Sequence, residues 1–330
     1  MKPKGRCSTT SAKTNTSAAH FACRFSAAIV AFMQLPAFIS CSQSGFQEES
    51  PNIIRVRTSA GWSDAALDVF CFYEDPPQRL ESYQQLSGED RIITGPDALH
   101  VIALSGKKGD YYANADVSVP EDLARKTVKL EEEDIARPRL YGETHVGPGR
   151  SRTALLELKP SICKIRFRFV SCDFSGTAYP NLACHGTRLF IINAASECSP
   201  LAAGNEYPVS WLNMGALTSA HPYVNREISC ALDGSAKDMD TLLYCYANPA
   251  ESDTPGRPLT RAVLEVMAGE RTCYYPVNLP SMNPGSSYVI DMKLLRLGTS
   301  DPDIPAESSS AEVSVNSLPW KNLAPVTESF

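Results

Sequence analysis

The sequence predicts an all-β chain: two β-sandwich domains in tandem, followed by a C-terminal strand extension. Three observations carry this reading. Apolar runs of strand length recur along the chain. Turn residues punctuate them, with 24 Pro and 19 Gly among 330 residues. No strand alternates with a long amphipathic helical pattern, which excludes a parallel βαβ architecture. The length suits about two domains. With 43% hydrophobic and 21% charged residues, the composition excludes a mostly disordered chain and a polytopic membrane protein. The net charge of −6 argues against nucleic acid as a partner.

The charge is unevenly placed. Residues 1–40 hold Lys2, Lys4, Arg6, Lys13 and Arg24 and no acid, and an apolar run from Phe25 to Ile39 follows. This is the layout of a secretory signal, with a buried N-terminal helix as the alternative. The run spans about 15 residues and is broken by Gln34 and Pro36, too short for a membrane-spanning helix of roughly 20 residues. Phe38-Ile39-Ser40-Cys41-Ser42 resembles a bacterial lipobox, with Phe38 where Leu is usual. It marks Cys41 as the candidate lipidation site, carrying acyl chains such as palmitate. A plain secretory signal with a coincidental Cys is the competing reading. The polar stretch from Ser42 to Ser50 reads as a tether. The expected organisation is a lipoprotein signal peptide over 1–40, an N-terminal sandwich over 41–150, a C-terminal sandwich over 151–300, and a linker with a lone strand over 301–330.

Strands are expected at Ile53–Arg57, Leu67–Tyr73, Leu99–Leu104, Lys126–Leu130 and Thr153–Leu158. A short helix is expected in Pro120–Lys126. Cys163 to Phe169 alternates: Cys163, Ile165, Phe167 and Phe169 face one way, and Lys164, Arg166 and Arg168 the other, as in a half-buried strand. Arg188–Asn193, Thr241–Tyr246, Ala262–Met267, Thr272–Leu279 and Tyr288–Leu297 complete the second set. After the polar, Pro-containing stretch following Gly298, Ala311, Val313 and Val315 alternate with Glu312, Ser314 and Asn316. Such a terminal strand either closes the edge of its own sheet or is donated to a neighbour.

Chemistry-bearing constellations are sparse. The five His are scattered, and there is no H-E-x-x-H, G-x-S-x-G or P-loop. The expectation is no catalytic residue, no metal and no cofactor. Glu131-Glu-Glu-Asp134 reads as a solvated charge run rather than a cation site, and Asp301-Pro-Asp303 as a turn. Eight Cys follow Cys41 and permit many disulfide pairings; buried free thiols are the competing reading.

Several segments together resemble the Bacteroidales fimbrial subunits, the fimbrillin and fimbrial-anchor group. They are the lipobox-like Cys41, Leu67-Asp-Val-Phe-Cys-Phe-Tyr73, Tyr141-Gly-Glu143, Leu155 to Ile165, Leu189-Phe-Ile-Ile-Asn193, Pro208 to Asn213, Tyr274 to Leu279 and Tyr288 to Met292. The resemblance implies transthyretin-like sandwich domains, lipoprotein export to the outer membrane and cell surface, and assembly into a fimbria. It also implies that an Arg-specific protease removes the first strand of polymerising subunits, opening a groove for a neighbour's strand. Carried over, Ile53–Arg57 is the removable strand, Arg55 and Arg57 are the processing candidates, and Val313, Val315, Trp320 and Phe330 belong to the donor segment. Only Thr58 to Asp64 separates Arg57 from the next strand, a short spacer for a protease that needs unpaired backbone. The expectation is therefore a non-enzymatic minor or anchor subunit. Its partners would be other fimbrial subunits, the outer membrane through the lipid anchor, and a host or bacterial surface receptor reached through the fibre. The alternative is a surface glycan-binding lipoprotein of two sandwiches.

Overall fold

The computed structural model describes residues 52–58, 66–87, 91–105, 117–201, 208–305 and 309–320. The signal region, Cys41 and Phe330 lie outside the described residues. The N-terminal strands are β1 (Asn52–Thr58), β2 (Leu67–Tyr73), β3 (Leu80–Leu86), β4 (Arg91–Thr94), β5 (Leu99–Ser105), β6 (Val128–Lys129), β7 (Leu140–Val146), β8 (Ser151–Leu156) and β9 (Lys159–Pro160). The later ones are β10 (Ile162–Cys172), β11 (Cys184–Ile192), β12 (Ala194–Cys198), β13 (Ser210–Leu212), β14 (Asn225–Leu232), β15 (Lys237–Tyr246), β16 (Arg261–Ala268), β17 (Arg271–Asn278), β18 (Ser286–Leu294) and β19 (Ala311–Pro319). A short helix, α1 (Pro120–Ala124), opens with Pro at a position where the missing N–H costs nothing. The Asp122 carboxylate accepts from the Ser118 and Val119 N–H groups, which holds it below the usual carboxylate range.

The first sandwich packs a three-stranded sheet, β4-β1-β8, on a five-stranded sheet, β3-β2-β5-β7-β9. Ile54, Ile92 and Leu156 of the smaller sheet share a core with Val69, Cys71, Leu99 and Val101 of the larger. The larger sheet is buried on its reverse face as well, where Phe70, Phe72, Ile102 and Leu104 lie with Leu123 of α1 and Leu201. That double burial is why β2 and β5 read as largely apolar runs, interrupted only by Asp68 and His100 before the terminal Ser105.

In the second sandwich, β15-β10-β18-β19 packs on β14-β11-β16-β17. Ile165, Phe167, Leu243 and Ile290 meet Leu189, Ile191, Leu264 and Tyr275 in one core. Each large side chain fully buried there contributes about 1.5–3 kcal/mol. Cys163, Ile165 and Phe167 face inward as the alternation requires. Phe169 departs from it. The pairing of β10 with both neighbours shifts between Phe167 and Phe169, a β-bulge that turns the next side chain outward. Phe169 is 42% exposed, and Val170 and Cys172 take the inner face.

Two expectations about boundaries are corrected. The N-terminal sheets do not stop at 150: β8 pairs with β1, β9 with β7, and Ala154, Leu156 and Leu158 sit in the first core. The strand expected over Lys126–Leu130 shrinks to the two residues of β6, which pair with β12, before a 3₁₀ turn at Leu130–Glu132. Several strands escape sequence detection, among them β3 and β14, because their side chains are mostly polar or half-buried and their sheets rather than their own hydrophobicity hold them.

Candidate functional site: the two terminal strands

β1 is the middle strand of its sheet. It pairs antiparallel with β4 from Asn52↔Thr94 to Arg55↔Arg91, and parallel with β8 from Ile53↔Ser151 to Thr58↔Leu156. Ile54 points into the core and is fully buried, while Arg55 is exposed. Arg55 therefore has paired backbone on both sides, and Arg57 is paired with Leu155 of β8. Neither lies on the unpaired, extended chain that proteases take. The strands flanking β1 are also tied directly to each other. Arg152 of β8, largely buried, donates to the Thr94 hydroxyl of β4 at 2.8 Å, to the Gly147 carbonyl at 3.2 Å, and to the carbonyls of Gly95 and Asp97.

β19 has a contrasting place, at the edge of its sheet. It runs antiparallel to β18 over its whole length, from Leu294↔Ala311 to Ser286↔Pro319. Val313 lies opposite Met292 and Val315 opposite Ile290, so the alternation seen in the sequence does sort these side chains onto the inner face. Yet this strand buries little. Ala311 is buried, Val315 is half-buried, and Val313 and Leu318 are 43% and 55% exposed. Val313 lines a shallow groove of about 330 Å³ with Phe169, Met292 and Glu312. Trp320 pins the far end: its N–H donates to the Gly285 carbonyl at 2.6 Å, its ring lies 6.2 Å from Tyr244, and Lys164 sits 5.7 Å over it. Tyr223 and His221 extend this aromatic row with edge-on contacts at 76°. Tyr244 is buried, while Trp320, Tyr223 and His221 are half-buried.

The segment leading to β19 is docked firmly. Thr299 and Tyr274 exchange two backbone hydrogen bonds at 2.8 and 2.9 Å, and a Cβ at Gly298 would collide with the Tyr274 carbonyl. Asp303 pairs with Arg261, whose side chain is only 5% exposed and which also pairs with Asp253 and donates to Asn278 Oδ1 at 2.9 Å. Asp301-Pro-Asp303 is the expected turn, with the Asp303 N–H donating to Asp301 Oδ1 at 2.9 Å. Sequence reasoning missed Arg261; the signal was a guanidinium opening an otherwise apolar strand.

Two further residue sets were misjudged. Glu131, Glu132 and Asp134 are exposed as the run predicts, but Glu133 is buried. Its buried carboxylate accepts from the Tyr246 hydroxyl at 2.7 Å and pairs with Arg139 at 3.3 Å, while its carbonyl accepts from Tyr223 at 3.0 Å. This joins the segment ahead of β7 to the second sandwich. His100 and His145, far apart in sequence, are cross-strand partners with rings stacked at 4.5 Å, each paired with a carboxylate, Glu143 and Glu74 respectively. The rings are nearly parallel, so their nitrogens do not converge. Among the described residues, no three His, Cys, Asp or Glu side chains are arranged to hold a metal ion. No described helix is long and apolar enough to cross a membrane.

Sheets packed face to face, in two successive sandwiches with a folded-back C-terminal strand, make this a β-sandwich protein of the fimbrilin fold. Solved structures agree. A candidate cell adhesion protein from Bacteroides eggerthii matches with TM-score 0.55 and 18% identity, over 82% of this chain and 96% of that one. A fimbrilin from Porphyromonas gingivalis matches with TM-score 0.55 and 14% identity, over 82% of this chain and 98% of that one. The tip fimbrial protein Mfa3 of the same species, truncated at its C-terminus, matches with TM-score 0.50 and 11% identity, over 82% of this chain and all of that one. By sequence, no family model and no curated protein matches the chain.

Proposed function

We propose that this chain is a non-enzymatic structural subunit of a cell-surface fimbria. It is exported as a lipoprotein, anchored in the outer membrane through Cys41, and assembled by donating its C-terminal strand to a neighbouring subunit. Its two sandwich domains form the rigid body and residues 311–330 the donor segment. The observation that carries the reading is the mismatch in β19: a full backbone ladder with almost no buried side chains. Backbone bonds are remade on any open sheet edge, so a strand with few pockets to leave exchanges partners at low cost. The likeness in fold to a fimbrilin and a fimbrial tip protein supports the same reading. The paired backbone at Arg55 and Arg57 favours retention of β1, hence a minor or anchor subunit rather than a processed stalk subunit.

Deleting residues 311–330 is expected to leave a folded, exported monomer that no longer enters heat-sensitive polymers on gels; an unchanged ladder overturns donation by this segment. Cys41→Ala is expected to abolish fatty-acid labelling, and labelling that persists refutes lipidation at that residue.

A further inference from the structure

The eight cysteines from Cys71 to Cys273 are all thiols in the structure, and the fold separates them in a way the sequence does not. Cys172 is the last residue of β10 and Cys184 the first of β11. They come from opposite sheets of the second sandwich and end at the same rim. One short segment holds both. The Cys172 N–H donates to the Asp233 carbonyl at 2.7 Å, and the adjacent Leu232 is the cross-strand partner of Cys184. Both side chains join the same core, 8% and 5% exposed, with the two thiols beside each other and the Cys184 thiol also directed at the Leu182 carbonyl at 3.8 Å.

Other thiols turn elsewhere. Cys71 lies beside the Ser82 hydroxyl, and Cys230 faces the Ala231 carbonyl at 3.7 Å. Cys273 is near Cys184 but engages the backbone of Gly298. Cys163 and Cys245 are direct cross-strand partners, a backbone spacing that suits a bridge. Their thiols engage separate backbone groups, however: Cys163 donates to the Asn283 carbonyl at 3.1 Å, and Cys245 meets the backbone of Ala195.

We propose that Cys172 and Cys184 form a disulfide when the folded chain meets a disulfide oxidant, stapling the two sheets of the second sandwich and closing the loop of residues 173–183. The Cys184 thiolate attacks one sulfur of the oxidant, forming a mixed disulfide and releasing one thiol. The Cys172 thiolate then displaces the second thiol as the Sγ–Sγ bond forms. Two electrons and two protons leave with the oxidant, which departs as two thiols. Burial raises both protein thiols, Cys172 to about 12, so exchange is slow at neutral pH and quickens in alkaline buffer.

The test is a peptide map. The full chain is incubated with oxidised glutathione in alkaline buffer, unfolded in an alkylating agent, digested without reduction, and analysed by mass spectrometry. The expected product is one cross-linked species joining Cys172 to Cys184, with Cys163, Cys245 and Cys273 alkylated. A Cys163–Cys245 or Cys184–Cys273 link, or glutathione adducts on Cys172 and Cys184 without a link, overturns the proposal. Oxidation is also expected to raise the melting temperature by several degrees in the wild type and not in Cys172→Ser; a shift that survives this substitution overturns the assignment. The same map on protein alkylated directly in cells separates this inference from the export reading. A bridge formed with glutathione but absent in cells keeps the pair and counts against an oxidising location.

Discussion

β1 and β19 are strands of comparable length near the two ends of the described chain, but their bonds are distributed differently. β1 is paired on both sides and drives Ile54 into a closed core. β19 is paired on one side and leaves Val313 and Leu318 largely in solvent. The difference teaches which strand can leave. Releasing β1 costs two ladders and exposes apolar surface that water does not repair. Releasing β19 costs one ladder, and its main anchors are Ala311, Val315 and Trp320. The flanking strands of β1 are tied to each other by Arg152 and Thr94, whereas the partner of β19, β18, becomes a bare sheet edge once β19 leaves.

The comparison breaks first if truncations at the two strands cost the same. Ile54→Ala is expected to lower stability by about 2–5 kcal/mol in denaturant titrations, and Val313→Ala by under about 1 kcal/mol. Hydrogen exchange sharpens the same contrast: β1 amides exchange only with global unfolding, and β19 amides through a smaller local opening. Uniform protection of the two strands would remove the distinction.

A middle effect is expected at the docked linker. Arg261→Ala leaves Asp253 and Asp303 without their buried partner and costs about 1–3 kcal/mol, discounted because both carboxylates are partly exposed. Amides of residues 299–304 should exchange faster in this variant while those of β1 are unchanged. If β1 loosens equally, the linker is not an independent latch.

The smallest effect concerns pH. Arg168 beside Asp291 holds this carboxyl below its usual range, at the bulge where β10 meets β18. A folded pKa that is depressed gives stability that is full above the unfolded carboxylate value, near 3.9, and is lost as pH falls below it. The melting-temperature gap between wild type and Asp291→Asn should be constant above about pH 5 and close below about pH 4. A gap that widens on acidification would reverse the sign of the argument.

Much of the fold was legible. Alternation located β10 and β19, β-branched and aromatic content located β2, and a largely apolar run located β5, because a strand repeats every two residues and its buried faces show in the side chains. The phase of Phe169 was not legible, since a bulge is a property of the pairing and not of one strand. His100 and His145 were read as unrelated, because only the β5–β7 register sets them face to face. Glu133 looked like one acid among four; its burial depends on Arg139 and Tyr246 arriving from elsewhere. At the candidate site, the strand character of residues 311–319 was visible in advance, but the shallow burial that makes this strand separable was not.

The sequence by itself determined that the chain is all-β, where most apolar strands lie, and that its C-terminal residues alternate like a strand. These are local properties, written in neighbouring side chains. Tertiary structure decided that β1 is enclosed and β19 is an edge, that Arg261 grips the linker, and that Cys172 meets Cys184. Each of these depends on which distant strands share a sheet. Long-range pairing is chosen by the summed burial of the whole core, which no single segment encodes.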